Sequence, residues 1–177
     1  MEAPHCDKRY KELVVHEHTR VDPYYWLNER ENPEVIDYLN RENSYSDYCM
    51  KPTESLQNEL YEEIVGRLDK EEESVPYLLD GDYYYNRYQE GKEYPLFCRK
   101  KVSLDNAEQV LLDQNELAQG REYCGIGKLS INPKSEILAY SVDFVSRRLY
   151  TICFKNLSTG ELLQGQIPST SGGFTWS

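Results

Sequence analysis

Basic residues are in short supply. Lys and Arg number 20 against 31 Asp and Glu, a net charge of −11 over 177 residues. Phosphate-binding surfaces need clustered cations, so no nucleic-acid partner is expected. Long apolar runs are missing too. No stretch approaches the roughly 20 residues that a helix needs to cross a bilayer. The opening Met1-Glu2-Ala3-Pro4-His5-Cys6-Asp7-Lys8 has no apolar signal-peptide core. A cytoplasmic protein with no membrane partner is therefore expected. Five cysteines (Cys6, Cys49, Cys98, Cys124, Cys153) are scattered and odd in number, with no Cys-x-x-Cys pair. Structural zinc is disfavoured, and reduced, mostly buried thiols are expected.

Familiar catalytic signatures are equally scarce. A nucleophile elbow requires Gly-x-Ser-x-Gly at a strand-to-helix turn, and none occurs. Ser171-Gly172-Gly173 comes nearest, but no helical pattern follows it, so it reads as a flexible loop. His16-x-His18 could set two imidazoles on one face of a strand. Lacking a third ligand, it reads as a polar entry to the segment behind it. Gly125-Ile126-Gly127 lacks the third glycine and the helix of a nucleotide loop and reads as a turn. Glu62-Glu63 and Glu71-Glu72-Glu73 are expected to face solvent, and no catalytic carboxylate pair can be picked out. Asn156-Leu157-Ser158 matches a glycosylation acceptor, which has no meaning without a secretory signal. No catalytic, cofactor-binding or metal-ligating residue is assigned, and no cofactor is expected.

What the sequence does hold is aromatic and aliphatic: 16 Tyr, 4 Phe and 2 Trp beside many Leu, Val and Ile, enough for a core. The chain reads as an α+β arrangement in two halves, residues 1–73 and 74–177. In the first, Asn32-Pro33 is a helix start: Asn caps, and proline fits the first turn. Val35, Ile36, Tyr38, Leu39, Tyr45, Tyr48 and Cys49 then form an apolar stripe. Lys51-Pro52 interrupts it. Thr53 can cap a second helix, with stripe Leu56, Leu60, Tyr61, Ile64 and Leu68. The charged run Asp69 to Ser74 marks the boundary.

The second half breaks into short strands. Val75–Leu79, Tyr83–Tyr88, Tyr94–Lys101 and Gln109–Leu112 form one set, with Asp80-Gly81 as a hairpin dipeptide. Tyr83-Tyr84-Tyr85 reads as a strand burying aromatics on both faces rather than as a binding platform. Ile126–Ile131, Glu136–Val142, Arg148–Lys155 and Glu161–Ile167 form a second set. The sets are in step at about the 50-residue period of a four-stranded propeller blade. Phe174-Thr175-Trp176 stands where a third would open. A propeller closes with about four to eight blades, so two blades and a beginning imply part of a larger protein.

Several runs carry a family resemblance. Asp22-Pro23-Tyr24-Tyr25-Trp26-Leu27, then Pro33-Glu34-Val35, Tyr38-Leu39 and Glu42-Asn43, resemble the opening of the prolyl oligopeptidase family of serine peptidases. Gly91-Lys92-Glu93-Tyr94-Pro95, Cys98-Arg99, Leu111-Leu112-Asp113 with Asn115 to Ala118 and Gly120, and Leu138 to Asp143 resemble its oligopeptidase B branch. So do Arg147-Arg148, Tyr150-Thr151, Leu157, Thr159-Gly160-Glu161 and Trp176-Ser177. Glu17 stands where the family usually has glycine, and Asn132-Pro133-Lys134 replaces its Ser-Pro-Asp turn.

The resemblance implies a cytosolic, cofactor-free serine peptidase that cuts short peptides after Arg or Lys. It implies a seven-bladed propeller over an α/β-hydrolase domain, with an N-terminal helical extension against the hydrolase domain. The triad lies in that missing C-terminal domain, the expected partner, so no catalytic residue is carried onto this chain. The chain alone is expected to be inactive, and Trp26, Leu27, Leu39, Leu60 and Ile64 to form a sticky apolar surface. The alternative is a stand-alone interaction module that has lost its catalytic domain.

Overall fold

Asn32 begins the longest helix as its chemistry requires. Its side chain accepts a 3.0 Å hydrogen bond from the Glu34 amide, and Pro33 occupies the first turn. In the computed structural model, which describes Met1–Ser177, α1 runs over Pro33–Met50 and α2 over Glu54–Val65. A 3-10 turn, Lys51–Thr53, joins them. Thr53 precedes α2 but does not cap it through its side chain. Its hydroxyl instead donates to the Met50 carbonyl and accepts from Gln57 Nε2.

Ahead of these helices lies a hairpin that the helical reading of the first half missed. β1 (Lys11–Val15) pairs antiparallel with β2 (His18–Asp22). Val14, Val15, Thr19 and Val21 supply the β-branched character that favours strands. The turn residues His16 and Glu17 both have positive φ, 49° and 65°, the geometry of a two-residue turn that follows strand twist. Glu17 thus occupies a left-handed position suited to glycine.

The chain forms two compact units, Met1–Leu68 and Asp69–Ser177. The second consists of two four-stranded antiparallel meanders. β3 (Tyr77–Leu79), β4 (Asp82–Arg87), β5 (Leu96–Lys101) and β6 (Glu108–Asp113) lie in that order in the first. Asp80 and Gly81, with φ of 49° and 84°, close the β3–β4 turn. β7 (Gly125–Ile131), β8 (Ile137–Asp143), β9 (Tyr150–Asn156) and β10 (Ile167–Thr170) form the second. This strand order is the one expected of propeller blades.

Three departures from the sequence reading have local causes. β10 begins at Ile167, not Glu161. The chain after β9 does turn back at once, with Leu162 bridging Lys155 and the Leu163 amide on the Phe154 carbonyl. It then leaves the sheet near Gly165, whose φ is 95°, and rejoins at Ile167 opposite Ile152. The charged run before the first meander also does more than separate units. Glu73 bridges Arg87, and Ser74 binds the Asn86 carbonyl. Finally, a short helix, α3 (Gln114–Ala118), follows β6. Asp113 caps it by accepting from the Asn115 amide at 2.8 Å, with Glu116 three residues on. That Asp-x-x-Glu spacing resembles a capping box and was readable.

The two meanders face each other across one core. Tyr84, Leu111, Leu112, Cys124, Leu138, Tyr140, Val142 and Cys153 are all buried in it. The alternation of β4 sends Tyr84 there and Tyr85 to the opposite face, with Leu96 and Cys98. The tyrosine run therefore buries aromatics on both faces.

Candidate functional site

The most constrained polar chemistry lies along the seam between the meanders. Arg99 on β5 is 1% exposed. Its guanidinium donates to Gln109 Oε1 from Nε at 3.2 Å and from Nη2 at 2.7 Å, and to Asp82 Oδ2 at 3.4 Å. Gln109 then donates its own amide to the Leu157 carbonyl in the other meander at 3.0 Å. Lys155 returns the link by donating to the Leu111 carbonyl at 3.0 Å. A buried cation needs such partners, because its desolvation is otherwise uncompensated.

A second cluster occupies the outer face of the first meander. Arg87 grips Glu108 with Nη2 at 2.7 Å and Nε at 2.9 Å, and the Tyr85 hydroxyl donates to Glu108 at 2.6 Å. The Arg87 hydrogen bonds hold the Glu108 carboxyl down at about 2, with Tyr85 assisting against the opposing effect of burial. Burial raises the Cys98 thiol to about 12, and the Glu108 charge adds to the rise. Cys98 is therefore a protonated structural thiol at neutral pH.

The residues weighed in the sequence do not converge. His16 sits in the β1–β2 turn and His18 opens β2, so they are not two positions on one strand face. No group of three or more His, Cys, Asp or Glu side chains is placed to hold a metal ion. All three histidines, His5 included, lie in the first unit, and none shares a hydrogen bond with a serine. Glu62, Glu63 and Glu71–Glu73 are exposed, as expected. Asn156 uses its side chain to accept from the Ser158 and Thr159 amides at 2.8 and 3.1 Å, a turn-forming role.

Two glycine readings are corrected. Gly125 and Gly127 lie in β7, not in a turn. A side chain at Gly127 would meet Ser141 Oγ at 2.7 Å and the Tyr150 ring at 2.9 Å. Gly172 is buried and tethered: its carbonyl accepts from Ser141 Oγ at 2.8 Å and its amide donates to Thr170 Oγ1 at 3.2 Å. The Ser171–Gly173 segment is thus a pinned turn, with Tyr150 fitted between two glycines. Asp143 is a further polar residue that the sequence did not single out. It is buried and accepts from the Val145, Arg147 and Arg148 amides at 2.8 to 2.9 Å, which holds its carboxyl below the usual range.

The first unit has a shallow depression of about 370 Å³ bounded by His5, Arg9, Trp26, Glu34 and Tyr38, among others. Arg9 lies 4.3 Å over the Trp26 ring and pairs with Glu34 at 2.6 Å, so its charge is already engaged. Trp26 also donates to the Asp7 carbonyl. Trp26 and Leu27 are accordingly half-buried, whereas Leu39, Leu60 and Ile64 are exposed as expected.

These two meanders match a known architecture. Residues 4–177 fit the family described as prolyl oligopeptidase, N-terminal β-propeller domain. The chain belongs to this family. A relative named dipeptidyl aminopeptidase BI, from Pseudoxanthomonas mexicana, is 42% identical over 89% of this chain and 24% of its own length. Protease 2 of Moraxella lacunata is 36% identical over 92% of this chain and 24% of its own. Oligopeptidase B from Leishmania major superposes with a TM-score of 0.86 at 27% identity, over 99% of this chain and 27% of that one. The chain thus spans about a quarter of these prolyl oligopeptidase relatives. In that setting Arg99, Gln109 and Lys155 tie two successive propeller blades together.

Proposed function

We propose that this chain is the non-catalytic N-terminal portion of an oligopeptidase B-like serine peptidase that cuts short peptides after Arg or Lys. The observation that carries the reading is the family match over residues 4–177 by a chain spanning about a quarter of its relatives. The propeller would exclude folded substrates, because a side chain or short peptide passes where a globular domain does not. The missing α/β-hydrolase domain would supply the Ser, Asp and His, and would cover the exposed Leu39, Leu60 and Ile64 of the helical extension. No cofactor is required. Five unpaired cysteines, three of them buried, support a reducing, cytoplasmic setting. No helix is long and apolar enough to cross a membrane.

The test is to sequence the transcript beyond Ser177 and assay both products. A downstream Gly-x-Ser-x-Gly and cleavage of a dibasic fluorogenic peptide by the whole protein are expected, with no turnover and no serine-phosphonate labelling by the 177-residue chain. A genuine stop codon after Ser177 would favour the stand-alone interaction module instead. The 42% identity to a protein named dipeptidyl aminopeptidase BI favours a second specificity, release of N-terminal dipeptides. Faster cleavage of a dipeptidyl substrate than of an N-blocked dibasic one would select it.

A further inference from the structure

The β3–β4 turn sets a reactive pair at the surface. Asp80 and Gly81 are both exposed, and theirs is the one Asp-Gly step in the chain, which has no Asn-Gly step. In such a pair the glycine amide nitrogen can attack the aspartate side chain, because no Cβ hinders its approach. A Cβ added at Gly81 would find no other atom within 4 Å, so the surroundings leave the turn room to move.

The other aspartates of Asp69–Ser177 are tethered. Asp69, Asp82, Asp105, Asp113 and Asp143 each accept a hydrogen bond with a carboxylate oxygen, and each is followed by a residue that carries a Cβ. Asp80 alone of that set has no such tie. Leu79 pairs with Asp82, so the ladder passes over Gly81 and leaves its amide nitrogen unengaged. One arm of the turn is also weakly held. β3 is a three-residue edge strand, exposed throughout and paired only to β4.

We propose that Asp80 is a site of spontaneous isoaspartyl formation, and that this modification loosens β3 from the first meander. The Gly81 nitrogen attacks Asp80 Cγ. The N–Cγ bond forms, the Cγ–OH bond breaks, and the hydroxyl leaves as water with the amide proton. Water then opens the cyclic imide. Opening at the main-chain carbonyl routes the backbone through Cγ, which adds one methylene to the turn and frees a new carboxylate. A two-residue hairpin turn fixes strand register, so the longer path breaks the Leu79–Asp82 pairing. Two neighbours feel the change. Tyr77 on β3 stacks on Tyr84 at 5.7 Å between centroids, and Asp82 holds the Val102 amide at 3.2 Å and the buried Arg99 at 3.4 Å. The proposal does not depend on the peptidase reading.

The test ages the folded protein, at its natural length and at neutral pH, for several weeks in water enriched in the heavy oxygen isotope. Trypsin then releases Glu71–Arg87, which carries both Asp80 and Asp82. Electron-transfer fragmentation tells isoaspartyl from aspartyl at each position. Asp80 should gain isoaspartate and heavy oxygen, while Asp82, tethered and followed by Tyr83, should stay unchanged. Asp80→Glu should abolish the signal, because its longer side chain closes the ring far less readily. Hydrogen exchange of the β3–β4 amides should quicken as the isoaspartyl fraction grows. Treatment with an isoaspartyl carboxyl methyltransferase and S-adenosylmethionine should slow it again. No excess of isoaspartate at Asp80 over Asp82, isoaspartate in the free peptide but not in the folded protein, or an isoaspartyl fraction that leaves β3–β4 exchange unaltered would overturn the proposal.

Discussion

The two units solve the problem of burial in opposite ways. In Met1–Leu68 a single side chain, Val35, is buried, and α2 buries none. In Asp69–Ser177 two sheets enclose a shared core in which Leu138 is fully buried. Both units carry regular apolar patterns, so pattern alone does not separate them. What separates them is whether the pattern meets a second layer. A helix stripe that meets none is stabilised by local hydrogen bonds and caps only, which contribute little beyond marginal helicity in water. The contrast leaves the apolar faces of the first unit exposed, while those of the second are enclosed by its own two sheets.

Substitutions sharpen this comparison, and the largest effect belongs to the sheet core. Leu138→Ala should destabilise the folded chain by about 3–4 kcal/mol, read as a fall in the urea midpoint. A loss below about 1 kcal/mol would mean that the meanders do not pack as described. Next comes the polar seam. Gln109→Leu removes the main acceptor for Arg99 and should cost about 2–3 kcal/mol. The double variant with Arg99→Met should recover part of that loss, because no buried cation is then orphaned.

The outer cluster should respond to pH. The folded Glu108 carboxyl is held below its unfolded value, so its contribution is present above about pH 4.5 and is lost as pH falls toward 2. Glu108→Gln should therefore destabilise by about 1–2 kcal/mol at pH 7, and the gap from the parent chain should narrow steadily from pH 5 to pH 3. A gap independent of pH would remove the ion pair from the account. The smallest effect is expected in the first unit. Ile64→Ala, at a side chain 59% exposed, should change the stability of the 177-residue chain by less than about 0.5 kcal/mol. The same change in the whole peptidase should cost more if the helical face is covered there. Equal, small effects in both would break that reading.

Much of the sheet half was legible because its signals are local. Asp80-Gly81 marks a tight turn by backbone conformation, and alternation along β4 and β8 marks which residues face inward. The helix start at Asn32-Pro33 was legible for the same reason. The hairpin at Lys11–Asp22 was not, since its turn is built by His16 and Glu17 and holds none of the Gly, Asn or Asp that mark a two-residue hairpin turn. β10 was misplaced because Glu161–Leu163 makes its own brief contacts to β9 before Gly165 diverts the chain. The Arg99–Gln109 seam lay outside sequence reasoning altogether. Ten residues separate its partners, and only strand register brings them side by side.

The seam has a bearing on how such a protein can change over evolutionary time. Both links across it end on backbone: Gln109 reaches the Leu157 carbonyl, and Lys155 reaches the Leu111 carbonyl. A carbonyl oxygen is offered by every residue type, so these links make no demand on the side chains at Leu111 and Leu157, although Leu111 is separately held by the core it is buried in. Successive blades can then drift apart in sequence without losing their mutual orientation. As far as these two links go, it is the donor side chains, Gln109 and Lys155, whose identity the blade-to-blade contact requires.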